Sequence, residues 1–153
     1  STFVAQNYGA GKNERIREGI RSAVIAVFFF CLVISAAVCL FAKPLMGIFI
    51  PASETGIIAE GVRYLRIEGA CYIGIGLLFL LYGFYRAVHR PGMSVVLTVI
   101  SLGTRVVLAY ILSAIPQIGV IGIWVSVPIG WLLADMAGVI FYWLRYRGRS
   151  ESL

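Results

Sequence analysis

Charge is scarce in this chain, and negative charge is scarcest. Of 153 residues, 13 are Lys or Arg and seven are Asp or Glu, while 60% are hydrophobic. Soluble domains are about one quarter charged, so a water-soluble globule of this length would have no polar residues left to cover its surface. The single histidine, His89, excludes a metal site built from protein side chains alone. It stands beside Arg90 at a helix end, and no Ser/His/Asp or Cys/His arrangement is readable. We therefore expect no catalytic residues, no bound cofactor and no enzyme. Cys31, Cys39 and Cys71 lie in apolar runs without Cys-x-x-Cys spacing, and read as small buried hydrophobes.

What is present is apolar sequence in long uncharged runs, over residues 22–42, 69–85 and 106–134. Runs of about 18 or more such residues are long enough to cross a bilayer. The fold class is all-α integral membrane protein, with the lipid bilayer as the first partner. Four membrane-spanning helices are read at about 17–41, 55–87, 93–115 and 120–146. A cytoplasmic loop over 5–16 precedes them and a polar tail over 147–153 follows. Lys43-Pro44 ends the first helix, because proline disfavours helix in the residue before it. Ser53 is the expected N-cap of the second, and His89–Gly92 separates the second from the third. The chain starts on Ser1, with no signal peptide before the first apolar run. We expect a C-terminal piece of something longer.

The basic residues fall on one side. Lys12, Arg15, Arg17, Arg21, Arg86, Arg90, Arg145, Arg147 and Arg149 gather there, leaving Lys43, Arg63 and Arg66 opposite and Arg105 inside a helix. Positive residues stay inside, so both ends are expected to be cytoplasmic. The net charge of +6 then has a cause that involves no nucleic acid.

Gly9-Ala10-Gly11-Lys12 is not a phosphate loop. No strand precedes it, its glycines are too close, and Asn13 stands where Ser or Thr should follow the lysine. A dinucleotide fingerprint fails too, with Glu14 in place of the third glycine. Gly9 and Gly11 read instead as a cytoplasmic hinge, with Asn13 capping a helix that starts at Glu14. Two rows of small residues indicate helices packed closely in lipid: Gly69, Gly76 and Gly83 on the second helix, and Ser126, Gly130, Ala134 and Gly138 on the fourth. Pro128 is expected to bend the fourth.

These pieces, in this order, resemble a family. "FVAQNYGAGKNERIREG" is similar to the loop between the second and third helices of a six-helix lobe in the multidrug and toxic compound extrusion family. "YGFYRAVHRPGMSVVLTVISLGTRVVLAYIL" is similar to its glycine–arginine turn and following helix, and "GVIGIWVSVPIG" to the start of its last helix. The resemblance places the chain at roughly helices nine to twelve of twelve, with the missing N-terminal helices as partners. It implies an antiporter in a bacterial inner membrane, exporting amphipathic, often cationic drugs in exchange for Na+ or H+. Some sodium-coupled members carry a carboxylate in the middle of the tenth helix; here "CYIGIGLLFLLYG" has none. Two rival readings are a lipid-linked oligosaccharide flippase of the same superfamily and a small structural subunit without transport.

Charges inside the membrane are functional suspects by default. At 1.5 Å per residue, Arg105 lies about 20 Å, Asp135 about 15 Å and Glu68 about 27 Å from the cytoplasmic side. Arg105 is therefore expected to pair with Asp135 or Glu68, with Asp135 the candidate for cation coupling. Tyr72, Phe79, Tyr82 and Tyr85, with residues 28–30, are candidate linings of a pocket for aromatic cations.

Overall fold

The structure, a computed structural model, describes residues 1–147. The tail read over 147–153 lies outside the described residues from position 148 on. Seven α-helices follow one another: α1 (Thr2–Gly9), α2 (Asn13–Leu40), α3 (Ala42–Phe49), α4 (Thr55–Ala70), α5 (Tyr72–Ala87), α6 (Pro91–Ser113) and α7 (Val120–Tyr142). A π-helical turn, Trp143–Arg147, extends α7, and there is no strand among the described residues. Helices α2, α6 and α7 are each long and apolar enough to cross a membrane, and α4 with α5, bent by 48° at their break, is long and apolar enough as a pair to be a fourth span. The protein is an all-α, multi-pass membrane bundle.

The turns at the basic end are closed by backbone geometry. Gly11, at φ +67°, ends α1 in the left-handed region, with its N–H on Tyr8 O at 3.1 Å and the Lys12 N–H on Asn7 O at 2.9 Å. This pair of bonds satisfies carbonyls that the last helical turn leaves open. The α5–α6 turn repeats it with His89 at φ +58°, the Arg90 N–H reaching Tyr85 O at 2.8 Å. Pro91 then opens α6, where its missing N–H costs nothing.

Four details differ from the sequence reading. The loop expected over 5–16 is a short joint at 10–12, because Gly9 is still helical and Gly11 alone supplies the left-handed turn. Asn13 is the first residue of α2, and neither it nor Ser53 acts as a cap: Lys12 and Glu54 hold those positions without a side-chain hydrogen bond. The chain re-enters helix straight after Phe41, since Pro44 falls in the first turn of α3, where no N–H is needed. The helix expected over 55–87 is broken at Cys71, whose N–H bonds back three residues to Glu68 O at 3.1 Å. Both halves follow α2: a Cβ on Gly69 would meet Val38 at 2.9 Å, and one on Gly76 would meet Cys31 at 2.6 Å.

Helix α7 is the centre of the bundle. Gly122, Ser126, Gly130, Ala134 and Gly138 are all buried along it. A Cβ on Gly130 would sit 2.5 Å from the Ser101 carbonyl oxygen, and one on Gly122 would sit 2.6 Å from Leu112 Cβ. The row of small residues therefore lets α6 run antiparallel against α7 at backbone contact. At the basic end, Ile16, Leu78, Leu81, Phe84, Tyr85, Val88, Leu97 and Ala134 form the core. Tyr85 is fully buried, and its hydroxyl donates to Gly138 O at 2.5 Å while meeting the Tyr142 backbone N–H. That hydroxyl sits beside the Gly138–Tyr142 rung of α7, just before the helix widens into its π turn. An inserted polar group is a common cause of such irregularity.

Gly130→Val is expected to force α6 from α7 and lower stability by about 1–3 kcal/mol, whereas Gly103→Ala, where nothing lies within 4 Å, is expected to be neutral. Thermal unfolding of the two variants in detergent checks this. Tyr85→Phe removes the buried hydroxyl that bonds to Gly138 O and is expected to cost about 1–2 kcal/mol, read by the same melt.

Candidate functional site: carboxylates inside the bundle

In hydrocarbon, a charge without a partner is expensive, so the intramembrane acids are the natural place to look for function. Asp135 lies on α7 at 5% exposure, and its Oδ1 has no hydrogen-bond partner. It faces α5: its Oδ2 lies 3.8 Å from where a Gly74 Cβ would be, and Trp131 Cβ lies 3.3 Å from the same point. A side chain at 74 would press first on Trp131 and reach the carboxylate only at ordinary contact distance. Helix α5 carries no acid of its own, yet α7 delivers one beside its first turn.

Glu68 is the second such group. It sits in the last turn of α4, three residues before the break, at 5% exposure and with Oε1 unpartnered. Cys71 and Tyr72, on the other side of the break, feel its charge, and Cys39 of α2 acts on both of them. Cys39 is also tied to α4, its carbonyl accepting from Arg66 Nε at 3.4 Å.

Arg105 does not pair with either acid. It makes no ion pair within 4 Å among the described residues, where the one such pair is Arg63–Glu60 at 3.6 Å. Its Cβ is 3.7 Å from the Gly130 Cβ position, and the residue is exposed. Asp135 follows Ala134 by one residue, a step of about 100° around the helix, so it turns away from the α6 face and toward α5. Arg105 and Asp135 differ by only about 5 Å in depth; rotation keeps them apart.

The aromatic residues do not share one pocket. Tyr85 is structural, and Tyr72 is half-buried at the break. Tyr82 accepts a hydrogen bond from Thr98 Oγ1 at 3.1 Å, with Phe79 edge-on to it at 6.1 Å. Phe28, Phe29 and Phe30 are exposed on the outer face of α2. Phe79 instead lines a groove of about 780 Å³ between α1, α2, α5 and α7, with Phe3, Phe84 and Trp143 and with Arg15 and Glu18. That groove was not legible in the sequence, because no helix was read over 2–9, where α1 carries Phe3. Of the hinge residues, Gly11 makes the turn and Gly9 ends α1.

The chain matches the MatE family over residues 1–111. It is 27% identical over 147 residues to the FAD transporter of Shewanella oneidensis, covering 95% of this chain and 31% of that protein. It is 26% identical over 129 residues to the probable multidrug resistance protein YoeA of Bacillus subtilis, covering 84% of this chain and 27% of that one. The chain thus spans less than a third of the length of these curated relatives. No solved structure matches it. A bundle of membrane-crossing helices, with a family match over residues 1–111, identifies the chain as a member of the MatE family of membrane transporters.

Proposed function

We propose that this chain forms part of one lobe of a cation-coupled exporter, completed by N-terminal helices outside the sequence, and that Asp135 carries the coupling cation, Na+ or H+. The observation that carries this reading is the bare Asp135 carboxylate, buried against Gly74 in the first turn of α5. An unpartnered carboxylate in hydrocarbon is stable only when neutralised by a proton or a bound cation. Its occupancy therefore follows whichever side of the membrane it opens to, and this is the requirement for coupling transport to an ion gradient. The drug-exporter reading is supported by the similarity to a multidrug resistance protein. The clustering of Lys12, Arg15, Arg17, Arg21, Arg86, Arg90 and Arg145 at one end supports a cytoplasmic location for that end. Both named relatives are bacterial, which supports a bacterial inner membrane.

A second substrate reading is an anionic dinucleotide. It is favoured by the similarity to an FAD transporter over 95% of this chain.

Ethidium and FAD efflux by the full protein in vesicles, under imposed Na+ or proton gradients, separates these readings. Asp135→Asn is expected to lower gradient-driven export at least about tenfold while leaving membrane insertion intact. Undiminished export by that variant would remove Asp135 from coupling.

A further inference from the structure

The groove beside Phe79 follows the line of α1. Only residues 10–12 join α1 to α2, so the two helices run antiparallel. Near the joint, Tyr8 lies with Asn13 and Ile16 around a small cavity. Further along, the Phe3 ring lies on Gly19, where a Cβ would run into it, and Ser1 Cβ is 4.0 Å from where a Gly83 Cβ would be. Helix α1 thus lies along α2 and α5, with Ser1 among the residues that line the groove. Beyond Ser1 on the same line the walls continue, with Ser22, Ala23 and Val24 on α2 and Phe79 and Leu80 on α5. Val24 and Phe79 are exposed there.

Helix α1 is uncapped at its first turn. Ser1 makes no side-chain cap bond, and its carbonyl accepts from the Ala5 N–H at 3.0 Å as a carbonyl inside a helix does. The N–H groups of that turn take their acceptors one turn upstream, and eight residues are too few for an isolated helix to hold itself. The walls of the groove say what fits it. Arg15, Glu18, Gly19, Ser22 and Ala23 stand at helical spacing on one face of α2. Charges of both signs and a hydroxyl suit a protein segment better than an acyl chain, which forms no hydrogen bonds. Gly19, Ala23 and Gly83 are small residues of the kind that let a further helix approach closely in lipid. This chain spans 31% and 27% of the two named relatives, so a full protein of that kind has the length to supply such a helix.

We propose that the segment immediately before Ser1 continues α1 as a membrane helix and seats in this groove, antiparallel to α2 and parallel to α5. Its register follows from the contacts that α1 already makes. Residues four apart share a helix face, so with Phe3 on Gly19 the residue about two places before Ser1 meets Ala23. With Ser1 beside Gly83, the residue about four places before Ser1 comes level with Phe79. This rests on the part of the proposed function that puts further helices ahead of this chain, and uses neither Asp135 nor ion coupling.

The test is disulfide cross-linking of the full protein in its membrane. Ala23→Cys is combined with single cysteines placed along the two turns before Ser1, and linked peptides are identified by mass spectrometry. The parent, carrying only its native cysteines, sets the background. Linkage is expected to peak about two places before Ser1 and to recur at helical spacing. It is expected to fall to background with Ile25→Cys, which points about 200° away from Ala23 around α2. A profile without helical spacing, or no linked pair, leaves the groove to lipid and overturns the proposal. Linkage of Ala23→Cys to its equivalent in another molecule makes a second copy the occupant and overturns it too. Where Ala23→Cys does not reach the membrane, Phe79→Cys with a cysteine about four places before Ser1 takes its place, with the same outcomes. A full protein with no helix ahead of Ser1 overturns both this proposal and the N-terminal helices of the proposed function. An upstream helix that links elsewhere overturns this proposal alone.

Discussion

The bundle depends on how closely α6 and α7 approach. Between helices surrounded by lipid there is little hydrophobic drive, since an apolar side chain is as well solvated by acyl chains as by a neighbour. What remains is contact between backbones and well-packed side chains. The row Gly122, Ser126, Gly130, Ala134 and Gly138 provides it, bringing Gly130 against the Ser101 carbonyl and Gly138 against Leu81 and Leu97. The large apolar residues largely do the opposite job. Those of α2 and α6, from Phe28–Phe30 to Val106 and Tyr110, are turned outward, where a bilayer or other helices would cover them. In a soluble protein this distribution would be inverted.

Tight packing on one face of α7 constrains where its polar groups go. Asp135 follows a stripe residue directly, and the helix turns it about 100° from α6 toward α5. There it lies against Gly74, which offers no side-chain hydrogen bond. The same geometry strands Arg105 on the flank of the α6–α7 contact. One arrangement of small residues thus accounts for both the bare acid and the unpaired base.

Much of this was legible in the sequence, for reasons that can be named. The four crossings and the small-residue row on α7 follow from composition and a spacing of four, because lipid leaves few other ways to build a bundle. The break at Cys71 was not legible: no proline marks it, and the surface that Gly69 and Gly76 fit on either side of it belongs to α2, in another part of the chain. Helix α3 was hidden by reading Pro44 as a terminator when it sits in a first turn. The pairing expected for Arg105 failed because depth along a helix is fixed by residue count, while the direction a side chain faces depends on which neighbours the helix packs against. The aromatic pocket failed for a related reason. Tyr85 and Phe79 lie on one helix, yet the first is fully buried at Gly138 and the second lines an open groove.

The irregular points of the bundle coincide with its chemistry. Glu68 lies at the α4–α5 bend, and Asp135 lies one turn before Gly138, where the Tyr85 hydroxyl meets α7 and the helix then widens. A straight, fully bonded helix has one conformation available in lipid, because every rung broken there leaves a polar group unsatisfied. At a bend or a side-chain-supported rung, the polar groups already have alternative partners, so a change of angle costs less. A transporter must move while keeping its polar groups satisfied. On the coupling role proposed for Asp135, ion occupancy and helix angle would be linked there, because the acid lies where the backbone yields most readily. Smooth rows of glycine assist, since surfaces without side-chain ridges slide with little steric penalty. The residues that hold the helices together are, by the same property, those that let them move.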